Sequence, residues 1–171
     1  MFQSIKGFGA ALSNAAAYLL AYSNERENVL NELFGSSGIG LSYVRLVMGG
    51  SDFNAVWPYT YDDASYEDFN MNEFSINKDL VFVIPVLKDI LRINPAVRIM
   101  ATPWSAPAWM KDSGSLNGGS LKSGPAYLRA LAEYFVRFVK AYQSQGINID
   151  TITLQNEPGF SNSGYPTMTM P

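Results

Sequence analysis

The sequence predicts an α/β protein built on a parallel sheet. Short apolar runs alternate along the chain with longer amphipathic stretches, and the short runs end at glycine, proline or polar turn residues. Parallel strands need a crossover connection that is usually a helix, so this alternation is typical of repeated βα units. With 171 residues, 47% of them hydrophobic, the chain is long enough for one domain with a buried core.

The first half of the chain contains two predicted strands and two predicted helices. Ser13 and Asn14 are both suitable N-cap residues for the first helix, and Glu27 follows Asn24 at the spacing of a capping box for the second. In order, the predicted elements are a strand over residues 2–8, a helix from the Ser13–Asn14 cap through Leu20, a helix from Asn24 to the residue before Gly35, and a strand over residues 39–48.

The second half repeats the alternation. Pro85 and Pro125 suit the first turn of a helix, because a backbone N–H at that position has no partner within the helix and proline therefore loses no hydrogen bond. The longer of the two helices has apolar residues at i, i+3 and i+4 and a favourable Glu133–Arg137 pair. In order, the predicted elements are a helix over residues 84–93, a strand over residues 97–101, a helix from Pro125 to the residue before Gly146, and a strand over residues 149–154.

Unusual residues follow all four predicted strands. They are the glycines around Phe8, then Asp52 and Phe53, then Trp104, and finally Asn156 and Glu157. The carboxyl ends of the strands form the active-site edge of a (β/α)8 barrel, but four βα units are half of eight and such barrels typically have about 250 residues. The sequence therefore predicts a TIM-barrel type fold of which only the first four βα units are present, as one partial domain over residues 1–171.

Composition excludes several classes of function. The chain has no cysteine and no histidine, which excludes disulfides, zinc fingers, His-dependent triads and His-based metal sites. The net charge is -3 without a Lys/Arg cluster, so we expect no nucleic-acid partner. The longest apolar runs have about eight residues, far fewer than the ~20 of a membrane span, and no signal-peptide pattern follows Met1. Nothing in the sequence calls for a metal or a cofactor.

Glu157 is the first candidate for acid/base chemistry. It lies at the carboxyl end of the fourth predicted strand, and Pro158 disfavours the helical region for it, so we predict an extended conformation. Without histidine or cysteine, acid/base chemistry has to come from carboxylates, tyrosines or lysines. Tryptophan and tyrosine side chains around such a glutamate would remove water from it and favour its protonated form.

Two further features have alternative interpretations. Arg45 lies within an apolar strand, so its guanidinium either extends to solvent or meets a partner. A long loop over residues 57–74 is rich in aromatic side chains, which indicates either a ligand-binding loop or a packed satellite cluster.

Several segments, taken together and in order, resemble glycoside hydrolase family 30, the family of glucosylceramidases and endo-β-1,6-glucanases. The matching segments are Gly7-Phe-Gly-Ala-Ala11 with Asn14-Ala-Ala-Ala17, Val44-Arg-Leu-Val-Met48 with Ser51-Asp-Phe53, Tyr59-Thr-Tyr-Asp62, Ala101-Thr-Pro-Trp-Ser-Ala-Pro-Ala-Trp-Met-Lys111, Asn117-Gly-Gly-Ser-Leu-Lys122, and Leu154-Gln-Asn-Glu-Pro158 with Gly164-Tyr-Pro166. The Ser13–Asn14 pair departs from the Thr-Asp common in the family, so a role for that acid does not carry over.

The resemblance implies a role for each candidate site residue. Glu157 matches the general acid/base, and the nucleophile belongs to strand seven, which is not in this chain. The implied substrate-binding residues are Asn156 at the sugar 2-hydroxyl, Asp52 and Trp104 at the terminal glucose, Arg45 near the catalytic carboxylates, and Trp109 and Phe53 as further aromatic wall. Secretion or a lysosomal location is suggested by the family alone.

The expected activity is that of a retaining β-glucosidase, which needs two carboxyl groups about 5–5.5 Å apart. The expected substrate is β-1,6-glucan, and glucosylceramide is the alternative. A hypothesis from another class is a catalytically incomplete, glucan-binding half barrel, since Asp52 and Asp62 have no family support as a replacement nucleophile. Because an open barrel exposes strand edges, edge-paired self-association is also expected.

Overall fold

The structure, a computed structural model, describes residues 2–170 and confirms the predicted α/β half barrel. Its strands are β1 (Gly9–Leu12), β2 (Tyr43–Met48), β3 (Arg98–Pro103) and β4 (Thr151–Ile152), and its helices are α1 (Asn14–Ala21), α2 (Arg26–Phe34), α3 (Val83–Ile93) and α4 (Pro125–Ser144), with a short 3-10 turn at Ala108–Met110. The four strands form one parallel sheet in the order β1-β2-β3-β4. Within the described residues, no helix has the length and apolar character needed to cross a membrane.

The prediction of the first strand was wrong in position. β1 begins at Gly9, and Phe2 and Phe8 are 98% and 71% exposed. Gly9 pairs with Tyr43, and a Cβ at Gly9 would come within 2.1 Å of the Tyr43 carbonyl oxygen. Glycine therefore allows the close backbone approach at which pairing starts, whereas the apolar residues before it have no paired strand.

The predicted start of the second strand was also too early. β2 begins at Tyr43, and Ile39 and Leu41 bond to α2 instead of to the sheet. The Ile39 N–H donates to the Glu32 carbonyl oxygen and the Leu41 N–H donates to the Leu33 carbonyl oxygen, both at 2.8 Å. A run of apolar residues in the sequence does not show whether its backbone groups bond to a neighbouring strand or to a neighbouring helix.

The helix signals in the sequence were mostly confirmed. The Ser13 side chain accepts from the Ala16 N–H at 3.1 Å, and Glu133 pairs with Arg137 at 2.9 Å. The capping box at Asn24 is absent, because α2 begins at Arg26 without a side-chain cap. Glu27 instead bonds to Arg92 on α3. A tertiary ion pair thus replaces the local cap.

The two faces of the sheet differ in burial. Alternate strand residues on one face are buried in a single apolar cluster with residues of all four helices; the strand members are Leu12, Val44, Leu46, Met48, Ile99 and Ala101. The opposite face carries Arg45 and Met100, both half-buried, and an open cavity of about 460 Å³ extends along its β1–β2 side. This second face corresponds to the interior of a barrel, and it carries the candidate site.

β4 is shorter than predicted, with two residues instead of six. The chain nevertheless follows β3 on both sides of it, since the N–H groups of Asp150, Thr153 and Asn156 donate to carbonyl oxygens of β3 at 2.8–3.0 Å. Asn156 is therefore held at the last residue of β3, Pro103. This pairing brings the ends of both strands to the same edge.

Candidate active site

Arg45 is the centre of the polar contacts on the interior face. Its Nη2 donates to Asn156 Oδ1 at 2.6 Å, and its Cζ lies 4.6 Å from the centroid of the Trp104 ring. A planar guanidinium combines this stacking with a directed hydrogen bond, which a lysine could not do. Of the two alternatives for Arg45, the structure shows the one in which it meets a partner. Three of the predicted site residues are thus in contact.

Gln155 joins the ends of β3 and β4 and was missed by sequence reasoning. Its Nε2 donates to the Trp104 carbonyl oxygen at 2.7 Å and to the Asn156 carbonyl oxygen at 3.0 Å. Both partners are carbonyl oxygens, which only accept hydrogen bonds, so the NH2 end of the Gln155 side chain must face them. The Oε1 atom is buried and has no hydrogen-bond partner among the described residues. The available signal was a polar side chain at a buried strand end, next to Asn156.

Glu157 follows directly and adopts an unexpected backbone conformation. Its φ is 48°, in the left-handed region, so the prediction of an extended conformation was wrong. The cause is a turn: Asn156 still bonds to β3, and the Phe160 N–H donates to the Glu157 carbonyl oxygen at 2.9 Å. A non-glycine residue with positive φ stores about 1–2 kcal/mol, and such strain is found most often at functional sites.

The Glu157 side chain is exposed, with Asn156 Nδ2 at 3.4 Å from its Oε2. The expected aromatic shielding of Glu157 is therefore not provided by residues 2–170. Its neighbours instead connect it through Asn156 to the Arg45 guanidinium. An exposed carboxyl group at an open edge, next to an amide, is accessible for proton exchange with a bound ligand.

Asp52 and Phe53 lie at the same edge, on the loop after β2. Asp52 is exposed, and Phe53 is 64% exposed. Because β3 lies between β2 and β4, the backbones of β2 and β4 are about two strand spacings apart, roughly 9–10 Å. The structure thus puts these residues on the predicted edge, but the described contacts do not join them to the group around Arg45.

Trp109 is in the protein interior. It is 6% exposed, its Nε1 donates to Asp62 Oδ2 at 3.2 Å, and its ring meets Phe69 edge to face at a centroid distance of 5.4 Å. Burial, with a smaller contribution from the charge of Asp68, raises the pKa of Asp62 to about 6. Asp62 is fully buried, which excludes direct contact with a substrate in this conformation.

Part of the aromatic loop is a packed cluster, as one of its two interpretations predicts, and three of its other aromatic side chains are exposed. Tyr59 and Tyr61 are buried and donate hydrogen bonds to Asp79, which also accepts from Tyr142 of α4. Trp57, Tyr66 and Phe69 of the same loop are exposed, Trp57 the most, at 92%. Asp79 was not singled out from the sequence, because no local pattern shows that its three partners lie up to 63 positions away.

Lys111 is a second buried charge that sequence reasoning missed. Its Nζ donates to Ser105 Oγ at 2.9 Å, to the Leu116 carbonyl oxygen at 2.6 Å and to the Thr167 carbonyl oxygen at 2.8 Å. Burial lowers the pKa of Lys111 to about 8. The ammonium group thus connects the loop after β3 with the segment that follows Glu157.

Comparison with known proteins gives a consistent result. The model of the glycosyl hydrolase family 30 TIM-barrel domain matches residues 5–170. Endo-1,6-beta-D-glucanase neg1 of Aspergillus fumigatus is 35% identical over 97% of this chain and 37% of its own length. Lysosomal acid glucosylceramidase of Mus musculus is 35% identical over 96% of this chain and 33% of its own length.

A solved structure supports the same relationship. The endo-beta1,6-glucanase BT3312 superposes with a TM-score of 0.88 at 34% identity, over 99% of this chain and 38% of that chain. The present chain therefore spans 33–38% of the length of these relatives.

Proposed function

This chain belongs to glycosyl hydrolase family 30, and from that premise we propose that it supplies the acid/base half of a retaining β-glucosidase site. The observation that supports this most is the position of Glu157. It lies beside Asn156, whose side chain is fixed by Arg45, and Arg45 is stacked on Trp104. A carboxyl group, hydroxyl-binding amides and an aromatic face suit a neutral sugar.

In the proposed first step, the protonated Glu157 gives its proton to the glycosidic oxygen. The bond between that oxygen and the anomeric carbon breaks while a second carboxylate attacks the anomeric carbon and forms a glycosyl ester. In the second step, the Glu157 carboxylate takes a proton from water, the water oxygen attacks the anomeric carbon, and the ester bond breaks. Asn156 and Asp52 bond sugar hydroxyls, and Trp104 and Phe53 form the apolar wall, whereas the buried Trp109 has no direct contact with the sugar.

We place the second carboxylate outside residues 1–171. Asp62 is buried, and Asp52 lies on the loop after β2, which β3 separates from β4, whereas a retaining pair requires carboxyl groups about 5–5.5 Å apart. The isolated chain is then expected to have no hydrolase activity. The alternative hypothesis, a half barrel that binds glucan without catalysis, rests on the same absence of a second carboxylate from the chain.

The test is a chimaera in which the part of BT3312 that follows the matched region continues this chain. We expect it to hydrolyse an aryl β-glucoside, and Glu157→Gln to lower kcat/KM by a factor of about 10² to 10⁴ for a poor leaving group. For a dinitrophenyl glucoside, which leaves without a proton, the variant should still show a burst of product.

The matched control is Glu32→Gln, an exposed glutamate on α2, which should leave hydrolysis unchanged. Equal activity of Glu157→Gln and the parent on all substrates would exclude the acid/base role. Hydrolysis by the isolated chain would instead show that a nucleophile lies within these residues.

The proposed substrate is β-1,6-glucan. The glucanase neg1 and the lysosomal glucosylceramidase match this chain with the same identity, 35%, so glucosylceramide is the second candidate. The preference rests on the Lys111–Ser120 loop and the Tyr165-Pro-Thr-Met168 sequence, which resemble the glucanases. Activity of the chimaera on the lipid alone would contradict it.

We also propose that the isolated chain self-associates. Within residues 2–170, β1 and β4 are the edge strands, and each pairs on one side only. Unpaired strand edges promote association between chains. Sedimentation velocity should therefore show dimers or larger species, and a single monomeric species at all concentrations would contradict the proposal.

A further inference from the structure

Asn14 has no role in the mechanism above, although the family resemblance marks its position as unusual. It is the first residue of α1 and is 3% exposed. A buried asparagine side chain carries two donors and an acceptor that need partners. Its partners lie 41 and 45 positions away, on both sides of the most exposed part of the loop after β2.

The first partner is that loop itself, residues 51–57, here called the β2 loop. Asn14 Oδ1 accepts from the Ala55 N–H at 3.0 Å, and the next residue of the helix, Ala15, donates its N–H to the Phe53 carbonyl oxygen at 3.1 Å. The first turn of α1 thus holds the backbone of the β2 loop at two points. These points flank Asn54 and directly follow Asp52.

The second partner is the buried cluster around Asp79. Asn14 Nδ2 lies 3.2 Å from the Tyr59 hydroxyl oxygen, and that hydroxyl donates its own hydrogen to Asp79. Tyr59 can therefore offer only a lone pair to Asn14, while the Ala55 N–H needs an oxygen. These requirements determine which end of the amide faces which partner.

The loop held in this way presents its apolar side chains to solvent. Phe53, Val56 and Trp57 are 64%, 42% and 92% exposed. Without a fixed backbone, an exposed loop with these side chains would be free to collapse onto the protein, because burial of apolar surface is favourable. The anchor keeps Asp52 and Phe53 available at the edge that contains Glu157.

We propose that Asn14 is a positioning residue that fixes Asp52 and Phe53 for a β-glucoside by accepting the Ala55 N–H. This proposal rests on the proposed function for its substrate. The anchor itself can be tested without hydrolysis. Binding groups held to within about half an ångström outperform mobile ones, and a displacement of about 1 Å can cost about 10²-fold in rate.

The experiment measures amide hydrogen exchange in the full chain by NMR. In the parent chain, we expect the Ala55 and Ala15 amides to be protected. Asn14→Ala removes the acceptor and should increase exchange at Ala55 by about tenfold or more. Asn14→Asp keeps an oxygen in the same place and should preserve the protection at Ala55. Asn28→Ala, an exposed asparagine on α2, is the control and should leave both amides unchanged.

Three results would overturn the proposal: an unprotected Ala55 amide in the parent chain, unchanged exchange in Asn14→Ala, or an Asn14→Asp variant that exchanges as fast as Asn14→Ala. The first result needs no variant, so the test stands even where a variant does not fold. In the chimaera, Asn14→Ala should raise KM about tenfold with a smaller change in kcat. An inactive chimaera would contradict the proposed function, whereas the exchange data would still decide on the anchor.

Discussion

Asp79 and Lys111 are two buried charges of opposite sign that the chain stabilises in the same way. Each is at most 1% exposed, and each contacts three neutral oxygen groups: hydroxyls for Asp79, and one hydroxyl and two carbonyl oxygens for Lys111. The ion pairs found among the described residues lie at partly or largely exposed positions instead. Hydrogen bonds to neutral groups, rather than counter-ions, accompany both buried charges.

The difference lies in what the two charges connect. Asp79 joins side chains of the aromatic loop to α4, and these are also held by stacked rings. Lys111 joins the loop after β3 to the segment after β4, and backbone hydrogen bonds connect the same two segments, from the Thr167 N–H to the Leu116 carbonyl oxygen and from the Leu121 N–H to the Thr169 carbonyl oxygen. Asp79 thus adds to a region of packed aromatic rings, whereas Lys111 adds to a network of backbone hydrogen bonds next to the candidate active-site edge. Both ions lose hydration, which raises the pKa of Asp79 and lowers that of Lys111 to about 8.

The largest expected effect is that of Asp79→Leu. The hydroxyls of Tyr59, Tyr61 and Tyr142 would all lose their acceptor inside the core, and each unsatisfied group costs about 1–3 kcal/mol. We expect the free energy of unfolding to fall by about 3–5 kcal/mol, measured by urea denaturation. Tyr142→Phe, which removes one donor, should cost about 1 kcal/mol. A loss below about 1 kcal/mol for Asp79→Leu would show that the hydrogen bonds to the Asp79 carboxylate only offset the free energy that its desolvation costs.

Lys111→Met should have a smaller effect, about 2 kcal/mol, because a carbonyl oxygen at a loop can regain water. The pH dependence of the free energy of unfolding tests the buried ammonium group of Lys111 more specifically. The pKa of Lys111 is about 8 in the folded chain and about 10.5 when unfolded, so between these values the unfolded chain binds a proton that the folded chain does not. The free energy of unfolding should therefore rise with pH from about 8, by up to about 1.4 kcal/mol per pH unit.

This rise is limited at its upper end by the tyrosines. Burial raises the pKa values of Tyr59, Tyr61 and Tyr142, so the stability that they contribute below pH 10 is lost as the unfolded chain ionises above it. Unfolding measured from pH 7 to 10 should show the rise in the parent chain and not in Lys111→Met. If the free energy of unfolding rose with equal slope in the parent chain and in Lys111→Met, the rise would come from a titratable group other than Lys111.

The smallest expected effect is that of Glu157→Gly. Glycine adopts φ of 48° without strain, but it also loses more backbone entropy on folding. We expect a net stabilisation of at most about 1 kcal/mol, measured as a shift in thermal unfolding, while Glu157→Gln stays within about 0.5 kcal/mol of the parent. A clear destabilisation by Glu157→Gly would show that the carboxylate itself holds the turn, which would make it similar to Asp79 and Lys111.

The amino-acid sequence by itself determined the half-barrel architecture and the identity of the edge that carries Glu157. Both follow from local physics: the alternation of short apolar runs with amphipathic helices, and the breakers that end each strand. It also reduced Arg45 to two alternatives, a guanidinium that extends to solvent or one that meets a partner, since arginine is almost never fully buried unless it is paired.

Only the tertiary structure decided where β1 begins and that the Glu157 backbone lies in the left-handed region. It also showed which polar side chains are hydrogen-bonded in the interior: Asn14, Asp79, Lys111 and Gln155. Strand boundaries depend on which backbone groups a neighbouring element satisfies, as at Gly9 and Ile39. Buried polar groups depend on partners that are distant in sequence, 63 positions for Asp79 and 56 for Lys111. Hydrogen bonds of this kind are formed by the folded chain as a whole, and no window of neighbouring residues contains them.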